Sequence, residues 1–120
     1  MPSGTYHNPN QKHLFVVCTD PDNAGNVLIV SISSWKSHLC DATCKLENGC
    51  HPFIAQESYV LYRKSRVEPA SAIEKGIRTG TLVQKDDFGA ELVGRMLSGV
   101  LASKQTPWKI SKYVKALAKR

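Results

Sequence analysis

Two apolar runs, HLFVVCTD beginning at His13 and VLIVSIS at residues 27–33, are separated by little more than the turn formers of PDNAGN. Val, Ile and Phe in close succession suit a buried, pleated strand, whereas Pro, Asp, Asn and Gly stop one. The pair therefore predicts an antiparallel hairpin. Asp20, Asp22 and Asn23 match part of a calcium loop, but the bidentate Glu that completes such a loop is missing at its offset, so the segment reads as a turn. A second strong strand is expected in SYVLYRKSRV, residues 58–67, closing at Glu68-Pro69. Cys44-Lys-Leu46 predicts a short strand, Glu47-Asn48-Gly49 a tight turn, and a further strand is expected to start near Cys50.

After Pro69 the pattern changes. ASAIEKGI predicts a helical turn or linker, and RTGTLVQ a Gly-centred bend before one brief strand. Asp86 or Asp87 is placed to cap a helix in which Phe88, Leu92, Val93, Met96, Leu97, Val100 and Leu101 recur at helical spacing and form one broad buried face. Thr106-Pro107 marks a second helix start, with the cap at Thr106 and proline in the first turn. There Ile110, Tyr113, Val114 and Leu117 fall on one side and Lys109, Lys112, Lys115 and Lys119 largely on the other. Strands first and helices second predict an α+β domain: a small antiparallel sheet or barrel with two C-terminal helices packed on it.

The 120 residues suit a single domain able to bury about two thirds of its unfolded surface, with residues 1–12 a loosely ordered N-terminal segment. No apolar run nears the roughly 20 residues of a membrane span. MPSGTYHNPNQK has no apolar signal core, so a cytoplasmic location with reduced cysteines is expected. The net charge of +6 attracts acidic partners, whether RNA, DNA or protein, and a lysine excess also serves plain solubility.

CDATCKLENGCHPFI, residues 40–54, gathers Cys40, Cys44, Cys50 and His51, with His38 just before. Zinc needs four converging ligands, commonly two knuckles. Here Cys50 and His51 are adjacent and point to opposite sides of an extended segment, and no second knuckle follows. No C-x-x-C is present for redox work. Neither metal nor cofactor is therefore expected; these cysteines read as small side chains at a strand junction, and Cys18 as a core residue.

The hydrophobic hairpin, then Asp41-x-x-Cys44-x-Leu46-x-x-Gly49-x-His51-Pro52-Phe53-Ile54, then SYVLYRKSRV and a basic helical C-terminal region, resembles the PemK/MazF group of toxin-antitoxin toxins over residues 13–67. The resemblance implies an SH3-like β-barrel with appended helices, a metal-independent endoribonuclease acting on single-stranded RNA, a homodimer, and neutralisation by an acidic antitoxin. The chain departs from the group in one place. It carries CTDPDNAGN where the group has a G-[DE]-[IV] strand start and a G-x-E/Q-x-x-x-R-P loop.

Such cleavage needs a base, a cation for the phosphorane charge and an acid for the leaving oxygen. His51 titrates in the range for either proton role. Arg63 or Arg66 can fork two donors toward phosphate. Ser58 and Tyr62 are candidates to orient the hydroxyl or the phosphate, Tyr59 or Tyr62 to stack a base, and Lys64, Lys109 and Lys112 to hold the strand. The geometry this requires is HPFI beside SYVLYRK, with His51 and Arg63 facing one hollow. Two alternatives stand beside the nuclease: a non-catalytic SH3-like module that binds nucleic acid or an acidic protein through the same surface, and an adaptor stabilised by zinc at the Cys40/Cys44/Cys50 cluster. Against each role stands a structural one: His51-Pro52 as a strand start, Tyr59 to Tyr62 as sheet and core, the lysines as a solvated helix face.

Overall fold

The computed structural model describes residues 5–8, 13–36, 40–47, 49, 54, 56–85 and 89–118. The chain is α+β, in the order β1 (Thr5–Asn8), β2 (His13–Val17), β3 (Asn26–Ser34), β4 (Lys45–Leu46), β5 (Ser58–Pro69), α1 (Ala70–Arg78), β6 (Val83–Lys85), α2 (Ala90–Ala102) and α3 (Trp108–Ala118). The strands lie side by side as β4-β5-β3-β2-β1-β6, every pairing antiparallel, in a sheet curled into a half-barrel.

The expected hairpin forms, with Leu14 opposite Ile32 and Val17 opposite Ile29. Asp22 builds its turn. One carboxylate oxygen accepts from the amides of Ala24 (2.8 Å) and Asn26 (3.0 Å), and Gly25 takes the left-handed φ of 81° that a side chain would resist. The other oxygen accepts from the Tyr113 hydroxyl at 2.6 Å, pinning α3 to the turn, while the Ala70 amide donates to Gly25 O at 2.8 Å and anchors the start of α1.

Leu14 to Val17 and Val27 to Val30 are all buried because both faces of the sheet are covered. On one face Leu14, Val16, Leu28, Val30, Ile32, Val60 and Tyr62 pack beneath Met96 and Val100 of α2 and Ile110 and Val114 of α3. On the other, Phe15, Val17, Val27 and Ile29 lie beneath Ala70 and Ile73 of α1. Full burial of each such aliphatic side chain contributes about 1.5–3 kcal/mol, which α1 secures for the second face.

Several expectations are corrected. ASAIEKGI is a nine-residue helix, not a turn or linker, so three helices flank the sheet rather than two. The strand that begins at Ser58 does close at Glu68-Pro69, as expected: Pro69 pairs with Asn26 at the last position of β5, where a missing N–H costs least, and then starts α1. Within the segment expected to be loose, Thr5–Asn8 forms β1 between β2 and β6; its polar sequence hides a strand made by backbone hydrogen bonds on two sides. Asp86, Asp87 and Phe88 lie outside the described residues, and α2 opens from Gly89 at φ 86°; before α3 the Thr106 hydroxyl makes no hydrogen bond among the described residues, so it is not the side-chain cap expected there. Leu101 is 46% exposed: it projects a helical step away from buried Val100 in the last turn of α2. Cys50 to Phe53, where a strand start was expected, also lie outside the described residues, and the described Ile54 is in no strand.

Between Ile29 and Ser31 the β3–β5 register slips. Two steps along β3 correspond to five along β5, from Leu61 to Arg66, so β5 carries three extra residues and bends. Tyr62 at the start of this distortion turns fully inward and donates its hydroxyl to Met96 O at 2.7 Å. Gly99, one turn further along α2, admits the ring; a Cβ there would overlap the phenol oxygen and sit 2.6 Å from Cζ. Gly99→Ala is therefore expected to destabilise the fold by about 1–3 kcal/mol. In a Tyr62→Phe background, which alone loses about 1 kcal/mol, the Gly99→Ala loss should shrink, as a double-mutant cycle in urea would read.

Asp41 ties the segment before β4 to the corner between α2 and α3. Its carboxylate accepts from Ser103 Oγ (2.5 Å), Thr43 Oγ1 (2.5 Å) and the Thr43 amide (3.0 Å). Desolvation acts to raise its pKa, but these three bonds outweigh it and hold the pKa below the ordinary 3.8. A depressed carboxylate pKa stabilises the fold above the unfolded value, and this share is lost as pH falls through the folded value. Urea midpoints measured from about pH 6 down to about pH 2 should fall less steeply for Asp41→Asn than for the wild type.

Candidate nucleic-acid interface

Alternation along β5 decides which side chains share a surface. Ser58, Val60 and Tyr62 face α2 and α3, whereas Tyr59 and Leu61, opposite Ser33 and Ser31, face the side carrying α1. Among the described residues α1 is the helix on that face, and it covers the end nearest the β2–β3 turn, leaving the remainder uncovered by any described helix.

Along the open part runs a stripe of rings and cations. Lys45, opposite Tyr59 in the β4–β5 pairing, lies 4.3 Å from the centroid of the Trp35 ring and 3.0 Å from Glu57. Trp35 meets Tyr59 edge to face at 5.7 Å. Beyond Tyr59 the bend in β5 turns Arg63 and Lys64 out to solvent, and neither makes an ion pair among the described residues. Arg66 sits 5.6 Å over Phe15 and pairs with Glu68 at 3.1 Å. Each cation–ring contact is worth about 0.5–1 kcal/mol when exposed and holds its charge in place.

The bend also opens a groove of about 610 Å³ between β5 and α1. Its apolar lining includes Phe15, Leu61, Ile73 and Leu82, and its polar groups are Ser31, Lys64, Arg66 and Glu68. Gly76 makes the far wall possible, because a Cβ at that position would come within 2.6 Å of Leu82 Cδ1.

The residues expected to act together are divided. His51 lies outside the described residues. Ser58 is buried on the α2–α3 face and donates to Gln56 O at 3.0 Å. Tyr62 is fully enclosed on that same face, so its phenol reaches no solvent-borne phosphate. Arg63, Lys64, Arg66 and Tyr59 belong to the opposite side. Tyr59 is packed rather than displayed, at 8% exposure. Burial raises its pKa, a hydrogen bond shared with Cys40 adds to the rise, and Ser33 and the nearby charge of Arg63 oppose it. Lys109 and Lys112 are exposed on α3, with Lys112 Nζ 6.0 Å over the exposed Trp108 ring, across the sheet from the stripe. Trp35, Lys45, Phe15 and Ser31 were not foreseen. The signal for Lys45 was its alternation with buried Leu46, and for Trp35 its place two residues after Ser33.

Cys18 and Cys44 are both core residues; burial first, and then the neighbouring Cys44, push the Cys18 thiol up to about 12. Among the described residues no three His, Cys, Asp or Glu side chains converge to hold a metal, and no helix is long and apolar enough to cross a membrane. No family model, curated protein or solved structure matches the chain.

Burial, followed by Cys44, also drives the Tyr62 phenol far above its ordinary pKa of 10. A raised phenol pKa leaves stability intact below the unfolded value and withdraws it as pH rises toward the folded one. Spectroscopic titration should show one tyrosine that ionises only as the protein unfolds in alkali, and that tyrosine should be missing from Tyr62→Phe.

Proposed function

We propose that this chain is a binding module for single-stranded nucleic acid, RNA in particular, built on a small SH3-like barrel. The observation that carries it is the stripe in which half-buried Trp35 lies among the cations Lys45, Arg63, Lys64 and Arg66, the last seated over the buried Phe15 ring. Single strands are held by this combination: cations track the backbone and rings or guanidinium planes receive bases. The formal charge of +6 supplies a long-range attraction of the right sign. A curled sheet with one face partly uncovered suits a flexible strand better than a rigid duplex, whose grooves are read by inserted helices or ribbons.

Cleavage, which the sequence resemblance implies, would need His51 brought to Arg63 without help from buried Ser58 and Tyr62. The binding reading needs none of these three residues.

Fluorescence anisotropy with a labelled 12-nucleotide RNA tests it. Affinity should fall with salt, and Arg63→Ala with Lys64→Ala should make the log–log slope shallower by about 1.4, because each contact to a single strand contributes about 0.7. Tyr62→Phe should leave binding unchanged. Salt-independent binding, or a double variant that binds as the wild type does, defeats the proposal. Gel analysis of the RNA after incubation in EDTA reads cleavage separately: intact RNA supports a pure binding module, and fragments lost in His51→Ala replace it with the nuclease.

A further inference from the structure

We infer that the groove between β5 and α1 is a nucleobase pocket that prefers guanine, an inference that rests on the single-strand reading and assigns its base specificity. The volume, about 610 Å³, falls in the range of sites for small organic ligands, and the lining has their character: apolar walls with a few polar groups on one side. Leu61 and Leu82 are half-buried and line the groove, with Phe15 and Ile73 beneath. Such a slot accepts a flat heteroaromatic ring and gives little purchase to a peptide's backbone.

The polar side is β5, which offers Lys64, Arg66 and Glu68 in sequence. Lys64 continues the cationic stripe into the groove mouth and meets a phosphate. Arg66 lies over the Phe15 ring with its guanidinium 5.6 Å from the centroid, and its outer side is the surface on which a base would stack. Glu68 sets the preference. Its Oε1 accepts from Arg66 Nε at 3.1 Å, which orients the carboxylate and leaves Oε2 with no hydrogen bond among the described residues. An ionised carboxylate accepts only, with capacity for about four hydrogen bonds. Guanine is the one common base that presents two adjacent donors, N1–H and the 2-amino group, on its pairing edge. Uracil flanks a single donor with two carbonyl oxygens that a carboxylate repels, and cytosine and adenine each offer one amino group beside an acceptor nitrogen.

Anisotropy with 8-mer RNAs differing at one position of an oligouridine separates this inference from the reading beneath it. The guanosine-containing strand should bind about tenfold more tightly than plain oligouridine, with inosine, which lacks the 2-amino group, in between. Glu68→Gln should reduce the guanosine advantage. Ala72→Trp plugs the groove from the exposed side of α1 and should abolish the advantage while oligouridine binding stays within twofold. Equal, salt-sensitive binding of all the strands by the wild type overturns the pocket and leaves the single-strand reading standing. No binding of any strand removes both. A guanosine advantage undiminished by Ala72→Trp in a protein with unchanged thermal midpoint places recognition elsewhere and also overturns the pocket.

Discussion

The three residues that β5 gains over β3 between Leu61 and Arg66 govern most of what this protein displays. A regular strand would alternate strictly, and every cation on one side would be matched by a core residue on the other. The extra residues break that alternation locally. Tyr62 goes inward to α2 while Arg63 and Lys64 both emerge into solvent. The inward side is held by one hydrogen bond to Met96 O and by the absence of a side chain at Gly99. The outward side is free to carry charge because the inward side is fixed. A distortion of this kind costs ladder hydrogen bonds, and a fully buried Tyr offsets much of that cost through the area it removes from water.

The remaining electrostatics follow from coverage. α1 is too short to cover the whole face it lies on, so no described helix covers β3 and β5 near half-buried Ser31, Ser33 and Leu61. There the cations lie over rings or beside carboxylates: Lys45 between Trp35 and Glu57, Arg66 between Phe15 and Glu68. Such arrangements order long side chains before any ligand arrives, which lowers the entropy lost on binding. Arg63 and Lys64 lack such ties among the described residues and retain their reach.

Much of the fold was legible locally. The β2–β3 hairpin, β4, β5 and the α3 start could be read because each rests on residues adjacent in sequence: β-branched runs, turn formers, Thr-Pro. The helix over Ala70 to Arg78 was under-read because its apolar content is modest and its stability comes from docking Ala70 and Ile73 on the second sheet face. β1 was missed altogether, since a strand flanked on both sides can be held by backbone bonds that no side-chain pattern records. The candidate site was half legible. Arg63, Lys64 and Arg66 were named from their place in a basic strand, but Ser58 and Tyr62 were grouped with them although alternation puts both on the other face.

By itself the sequence determined the β2–β3 hairpin, β5 and the two C-terminal helices, the net positive charge and the composition of β5, because these depend on side-chain shape, period and ionisation within a few residues. Only the tertiary structure decided which side of β5 is core, how far α1 covers its face, and that Trp35, Lys45 and Phe15 join the cations of β5 in one stripe. Those outcomes depend on register between distant strands and on a clearance at Gly99 for a ring at Tyr62. Both are contacts across the fold, and local propensity carries no record of them.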